Sequence, residues 1–139
     1  MRLLVLLLVA LTIAGGCSSV STHRAPSVDL DRYKKFFVER RLNDNHSLDA
    51  LIVAELRHLG RTAYSGPLTM KPDDTDAVVT YNDRWAWDFK NYLIELNIDV
   101  RDARNDKPLT TGRYYQPSIT TKNPPEMIRD ILQPLFGKK

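Results

Sequence analysis

The sequence predicts an α+β fold, a two-layer sandwich in which a mainly antiparallel sheet carries two helices on one face, in the order β-α-β-β-β-β-α. Three observations point to it. Tyr92, Ile94, Leu96, Ile98 and Val100 alternate with Glu95, Asn97, Asp99 and Arg101, the pattern of a strand with one dry and one wet face. Two segments, 48–59 and 127–136, repeat apolar residues at helical spacing. A sheet wet on one side covers its other side, so both helices belong on the dry face.

Each element has its own local reason. Residues 33–39 mix aromatics and a valine with charges in alternation and read as a first strand. Residues 43–47 are turn and cap formers. Leu48, Leu51, Ile52, Leu56 and Leu59 then recur every three or four residues, and Gly60 stands where a helix ends in a left-handed residue. Residues 62–66 suit a short strand before the breaks at Pro67 and Pro72. Ala77, Val79, Tyr81, Trp85, Trp87 and Phe89 share one parity of the next strand, and Thr80, Asn82, Arg84 and Asp88 the other. Asn105 and Asp106 mark a turn before a strand from Leu109 to Gln116. Asn123, Pro124 and Glu126 form a helix start with cap, first-turn proline and capping box. Pro134 is expected to kink or end that helix.

The 139 residues favour one domain, placed at 31–139. The formal net charge is only +3, spread along the chain, which argues against nucleic acid as a partner. One cysteine permits no internal disulfide and no paired-thiol redox or zinc site.

That cysteine sits at the end of a leader. Arg2 gives a positive start, and residues 3–13 are apolar apart from Thr12. This suits a signal-peptide core and falls short of the about 20 residues that span a bilayer. Ala14-Gly15-Gly16-Cys17 resembles the bacterial lipobox, with Ala14 where Leu is commoner. Residues 1–16 are thus expected to be a cleaved signal peptide and Cys17 the lipidated residue, which binds the chain to a membrane. Residues 17–30 read as lipidated cysteine and flexible polar tether; ten such residues span roughly 17 Å. Ser18, in place of the aspartate that marks inner-membrane retention, favours the outer membrane by resemblance to sorted lipoproteins. The chain would then face the periplasm, or sit on the plasma membrane of a cell with one membrane.

Two readings of residues 81–88 stand side by side. Trp85 and Trp87 can stack on sugar rings while Asp83 and Asp88 accept hydrogen bonds from hydroxyls, giving a glycan, peptidoglycan or lipid platform. Alternatively both indoles continue the core parity of Ala77, Val79 and Tyr81 and cover the helices. Asp73, Asp74 and Asp76 lack the ligand spacing and turn glycine of a calcium loop and read as a solvated acidic loop. His23, His46 and His58 are scattered, and Ser47 beside His46 and Asp49 cannot form a triad from one helix start. No metal, cofactor or catalytic residue is therefore expected. Of Tyr114 and Tyr115, one should face the core and the other solvent.

The lipobox, residues 56–60, residues 80–88 and the Pro124-Pro125-Glu126-Met127 helix start together resemble a family of small proteobacterial lipoproteins of unknown function. The resemblance implies a periplasm-facing α/β domain and carries no activity. The expectation is a non-enzymatic envelope lipoprotein that binds a protein partner as an accessory subunit of an assembly or transport system. The alternative is the glycan- or lipid-binding module built on the tryptophans.

Overall fold

A computed structural model describes residues 17–117 and 122–138; the expected signal peptide lies outside the described residues. The fold is α+β. A six-stranded sheet in the order β1-β6-β5-β4-β2-β3 carries two helices that share one core. The strands are β1 (Ser19–Arg24), β2 (Lys35–Glu39), β3 (Thr62–Gly66), β4 (Ala77–Trp87), β5 (Asn91–Asp102) and β6 (Pro108–Tyr115); the helices are α1 (Leu48–His58) and α2 (Pro124–Phe136). Two single turns of 3-10 helix, Leu30–Arg32 and Leu68–Met70, lie between strands.

The sheet is mixed. β4, β5, β6 and β1 pair antiparallel in succession, whereas β2 runs parallel to both β3 and β4. A parallel pair needs a crossover, and α1 supplies the one from β2 to β3. The position of β2 between β4 and β3 explains why Phe36, Phe37 and Val38 are all buried. Phe36 and Val38 join the main core, while Phe37 stands outside it near Gly66.

The expected flexible tether is corrected in part. Ser19–Arg24 is an edge strand in register with β6, Ser19 opposite Tyr115 and Arg24 opposite Thr110. All six side chains are exposed, so backbone bonds and not apolar burial hold the strand. The Thr110 hydroxyl donates to the His23 carbonyl at 2.6 Å, and the ladder continues with Ala25 N–H to the Leu109 carbonyl at 2.9 Å. Leu30, also assigned to the tether, is a core residue at 2% exposure.

The helices end as their sequences require. Gly60 follows α1 at φ +81°. Asn123 accepts from Glu126 N–H at 3.0 Å while the Glu126 carboxylate accepts from Asn123 N–H at 3.0 Å, the complete capping box. Pro134 does not end α2, which runs on to Phe136. In the last turn a missing N–H removes a single ladder bond, and Leu135 and Phe136 are retained by core burial.

The helical face of the sheet is covered by Ile52 and Leu56 from α1 and by Met127, Ile128, Ile131 and Leu132 from α2, all fully buried. The close seating of α2 depends on Gly112 in β6. A Cβ there would collide with the Ile131 side chain, so the strand needs its one side-chain-free position where the helix crosses.

Candidate functional site

The register of β4 and β5 slips between Arg84 and Trp85: Arg84 pairs with Glu95, yet Trp85 pairs with Leu93. Ile94 is the extra residue of a bulge, and the alternation of β5 reverses there. Leu93 is buried at 1% exposure, whereas Ile94 and Tyr92 are only half-buried. The expected dry set therefore holds for Leu96, Ile98 and Val100 and fails for Ile94 and Tyr92.

The bulge divides the four candidate residues. Asp83 and Trp85 lie beneath the loop from β2 to α1. Arg41 donates to Asp83 Oδ1 at 2.5 Å, and the Trp85 indole N–H donates to Asp83 Oδ2 at 2.7 Å. His46 stacks on Trp85 with ring centroids 3.7 Å apart and planes 14° from parallel, and Trp85 also packs against the core. Trp87 and Asp88 stand beyond this cluster on the β4–β5 hairpin. Trp87 is 71% exposed, and Phe89 at the turn is 93% exposed with its ring 6.3 Å from Trp87. Phe89 adopts φ +60°, and Asp88 N–H donates to the Lys90 carbonyl at 3.1 Å. The core reading of both indoles is thus corrected for Trp87. A paired platform is not formed either, because one indole is stacked under a histidine and the other projects from a turn.

Asp44 organises the loop above. One oxygen accepts from the Tyr81 hydroxyl at 2.6 Å and from Asp49 N–H at 3.3 Å; the other accepts from His46 N–H at 2.9 Å. Ser47, at φ +55°, gives no side-chain cap to α1, so Asp44 serves its N-terminus in place of the adjacent residue. Burial raises the Asp44 pKa, but the bonds from Tyr81 and from the N–H groups of His46, Asp49 and Leu48 outweigh it and hold it below the ordinary value. Burial, then the Asp44 bond, pushes the Tyr81 phenol well above its usual value. Arg40 reaches Asp49 at 2.7 Å. His46 and Asp49 therefore turn to different partners, the Trp85 ring and Arg40.

Two carboxylates of the acidic loop have structural roles. Asp76 accepts from the N–H groups of Lys34 and Lys35, at 2.9 Å each, and Asp74 pairs with Lys35. Among the described residues no group of three or more His, Cys, Asp or Glu side chains is placed to hold a metal ion. His23 lies on β1 and His58 at the end of α1. Tyr114 is buried and Tyr115 half-exposed, the division their alternation implied. The role of Asp44 was missed from sequence, since an aspartate among turn formers carries no signal that a tyrosine 37 positions later will reach it.

Cys17 is exposed and two residues from β1. Among the described residues no helix is long and apolar enough to cross a membrane.

No protein-family model and no curated protein matches the chain. Solved structures do. The chain is similar to PelC from Paraburkholderia phytofirmans, a dodecamer, with 14% identity over 88% of this chain and 100% of that one and a TM-score of 0.65. It is similar to a PDZ domain protein from Parabacteroides distasonis at 12% identity, over 96% of this chain and 39% of that one, with a TM-score of 0.52. A weaker likeness, TM-score 0.39 at 17% identity over 77% of this chain and 96% of that one, is to a minor lipoprotein from Acinetobacter baumannii. At these identities the first two show a shared fold.

Proposed function

We propose that the chain is a non-enzymatic lipoprotein of the bacterial envelope, held by lipid on Cys17, that works as a protein-binding accessory subunit of an assembly or transport system. The observation that carries this reading is the short path from Cys17 to the sheet: a single residue, Ser18, separates the lipobox cysteine from β1. A domain so closely leashed is held against its membrane and oriented there, which suits a component of a fixed assembly. Lipid on the cysteine supplies attachment, since two or more acyl chains hold a protein stably. Ser18 favours the outer membrane.

The binding surface that the fold offers is its edge. β1 is exposed along its whole length at one end of the strand order and β3 closes the other; an edge strand presents backbone donors and acceptors to an added strand. The shared fold with PelC, a dodecamer, supports a reading in which like copies associate. The glycan reading now draws on Trp87 alone.

The test is cross-linking in intact cells of the lipidated chain, followed by mass spectrometry of the linked peptides. Links from β1 or β3 to an envelope protein or to a second copy are expected. They should vanish in Cys17→Ser, together with incorporation of a palmitate analogue and membrane retention. A lipidated chain that yields no links sinks the subunit reading, and label persisting on the Ser variant sinks the lipid attachment.

A further inference from the structure

The pairing registers place one end of the sheet together. Ser19 is opposite Tyr115, Tyr115 opposite Glu95, and Glu95 opposite Arg84. Ser19 therefore stands level with Arg84, and the chain runs backward from it toward Cys17 in the direction in which β4 runs forward toward Trp87. Trp87 lies three positions beyond Arg84, about 10 Å at strand rise, and Cys17 two positions before Ser19, about 7 Å if extended. The lipobox cysteine and the β4–β5 hairpin tip thus leave the sheet from the same end and reach similar heights.

That end carries unusual side chains. Trp87 and Phe89 are 71% and 93% exposed, and Leu42, on the loop that folds over Asp83 and Trp85, is fully exposed. Exposed Lys90 follows directly. The tip is also built to project: the bulge at Ile94 turns the parity of β5, and a non-glycine residue at positive φ closes the turn. Aromatic rings beside a lysine suit a membrane interface, where the ring lies among acyl carbons and headgroups and the ammonium stays in water.

We propose that this end of the sheet is a membrane-contacting face, in which Trp87 and Phe89, with Leu42, enter the headgroup region of the leaflet that holds the Cys17 lipid. The proposal rests on the lipid-anchored reading above and deepens it. The lipid fixes the protein to the membrane at one point, and the hairpin tip adds a second, which fixes its orientation and leaves the two sheet edges standing off the surface for partners.

The experiment uses the full lipidated chain in vesicles of phosphatidylethanolamine and phosphatidylglycerol doped with a lipid spin-labelled near the headgroup. Trp87 should be quenched by the spin label and shielded from aqueous iodide. In Trp87→Phe the quenching by labelled lipid should be lost, because the remaining Trp85 lies under His46. Lipidation is read separately, from the mass of the fragment containing Cys17. A lipidated chain whose emission is untouched by the labelled lipid overturns the membrane face and leaves the anchor standing; a Cys17 without lipid removes both. Iodide shielding without lipid quenching, with tip-to-tip cross-links, assigns the face to a second copy and overturns the proposal. So does retention on peptidoglycan sacculi that is abolished in Trp87→Ala.

Discussion

The imidazole of His46 lies flat on the indole of Trp85, at 3.7 Å between centroids, and closes the loop between β2 and α1 over the end of β4. The same indole donates to Asp83, which also receives Arg41. His46, Trp85, Asp83 and Arg41 are therefore linked in succession. Trp87, two positions on, has none of these partners and is mostly exposed.

The two tryptophans should accordingly separate in stability. Trp85→Ala is expected to cost about 2–4 kcal/mol, toward the lower side of tryptophan truncations because the residue is only half-buried. Trp87→Ala should fall within about 0.5 kcal/mol of the parent, as surface changes do. Urea titrations of the two variants check this. Equal losses would mean that the hairpin tip is packed.

The bulge makes a second contrast. Leu93→Ala removes a fully buried side chain and should cost about 2–5 kcal/mol, while Ile94→Ala should cost clearly less than half of that. Strict alternation from 92 to 100 requires the opposite order. Thermal melting of the pair decides between the registers.

These two sites show what the sequence could and could not convey. Leu96, Ile98, Val100, α1 and the capping box of α2 were legible because periodicity and cap chemistry are local. The bulge was not, since one residue inserted between paired strands leaves every neighbouring side chain of a type that either register accepts. β1 was hidden for a different reason: a ladder of backbone bonds on an exposed edge needs no apolar pattern, and Ser-Val-Ser-Thr-His-Arg reads as linker. The parallel pairing of β2 depends on a crossover whose destination no local pattern specifies. At the candidate site, Asp83 and Trp85 stood out by composition, but the partners that define their surroundings, Arg41 and His46, lie some 40 positions earlier.

Gly112 should prove intolerant. Its missing side chain admits Ile131 of α2, and the Thr22 methyl of β1 lies 3.6 Å from the Cβ position. Gly112→Ala is expected to destabilise by about 1–3 kcal/mol through overpacking. Adding Ile131→Ala should make the pair less costly than the sum of the single changes, because the colliding methyl is gone. Additive losses would mean that α2 does not rest on β6 at this point.

Asp44 predicts an acid limb of the stability curve. Its carboxyl titrates below the ordinary value in the folded chain, whereas unfolding returns it to about 3.9. The stabilisation is then fully present above about pH 4 and is lost as pH falls through the folded value, because the unfolded chain binds the proton more readily. Asp44→Asn should lower stability near neutral pH by about 1–3 kcal/mol through weakened bonds to Tyr81 and the loop N–H groups. It should also flatten the decline below pH 4 relative to the parent. Urea midpoints measured from pH 2 to 7 test both parts, and parallel curves would remove Asp44 from the account.

Removal of residues 17–26 distinguishes a strand from a tether. A tether makes no contribution to folding, and a chain beginning at Ser27 would melt like the parent. β1 instead pairs along six positions with β6, receives the Thr110 hydroxyl on the His23 carbonyl, and sends the Arg24 guanidinium to the Leu135 carbonyl at 3.4 Å. With net contributions of about 0.5–1.5 kcal/mol for each hydrogen bond, the loss should reach at least about 2 kcal/mol even if half of the ladder is replaced by water. β6 would become the edge, and its outward backbone groups would favour association at high concentration. Amide exchange gives the sharper readout: protection at the β6 N–H groups that face β1 should fall in the shortened chain, while that in β4 and α1 changes only with global stability. Unchanged protection in β6 together with an unchanged urea midpoint would return residues 19–24 to the role of linker.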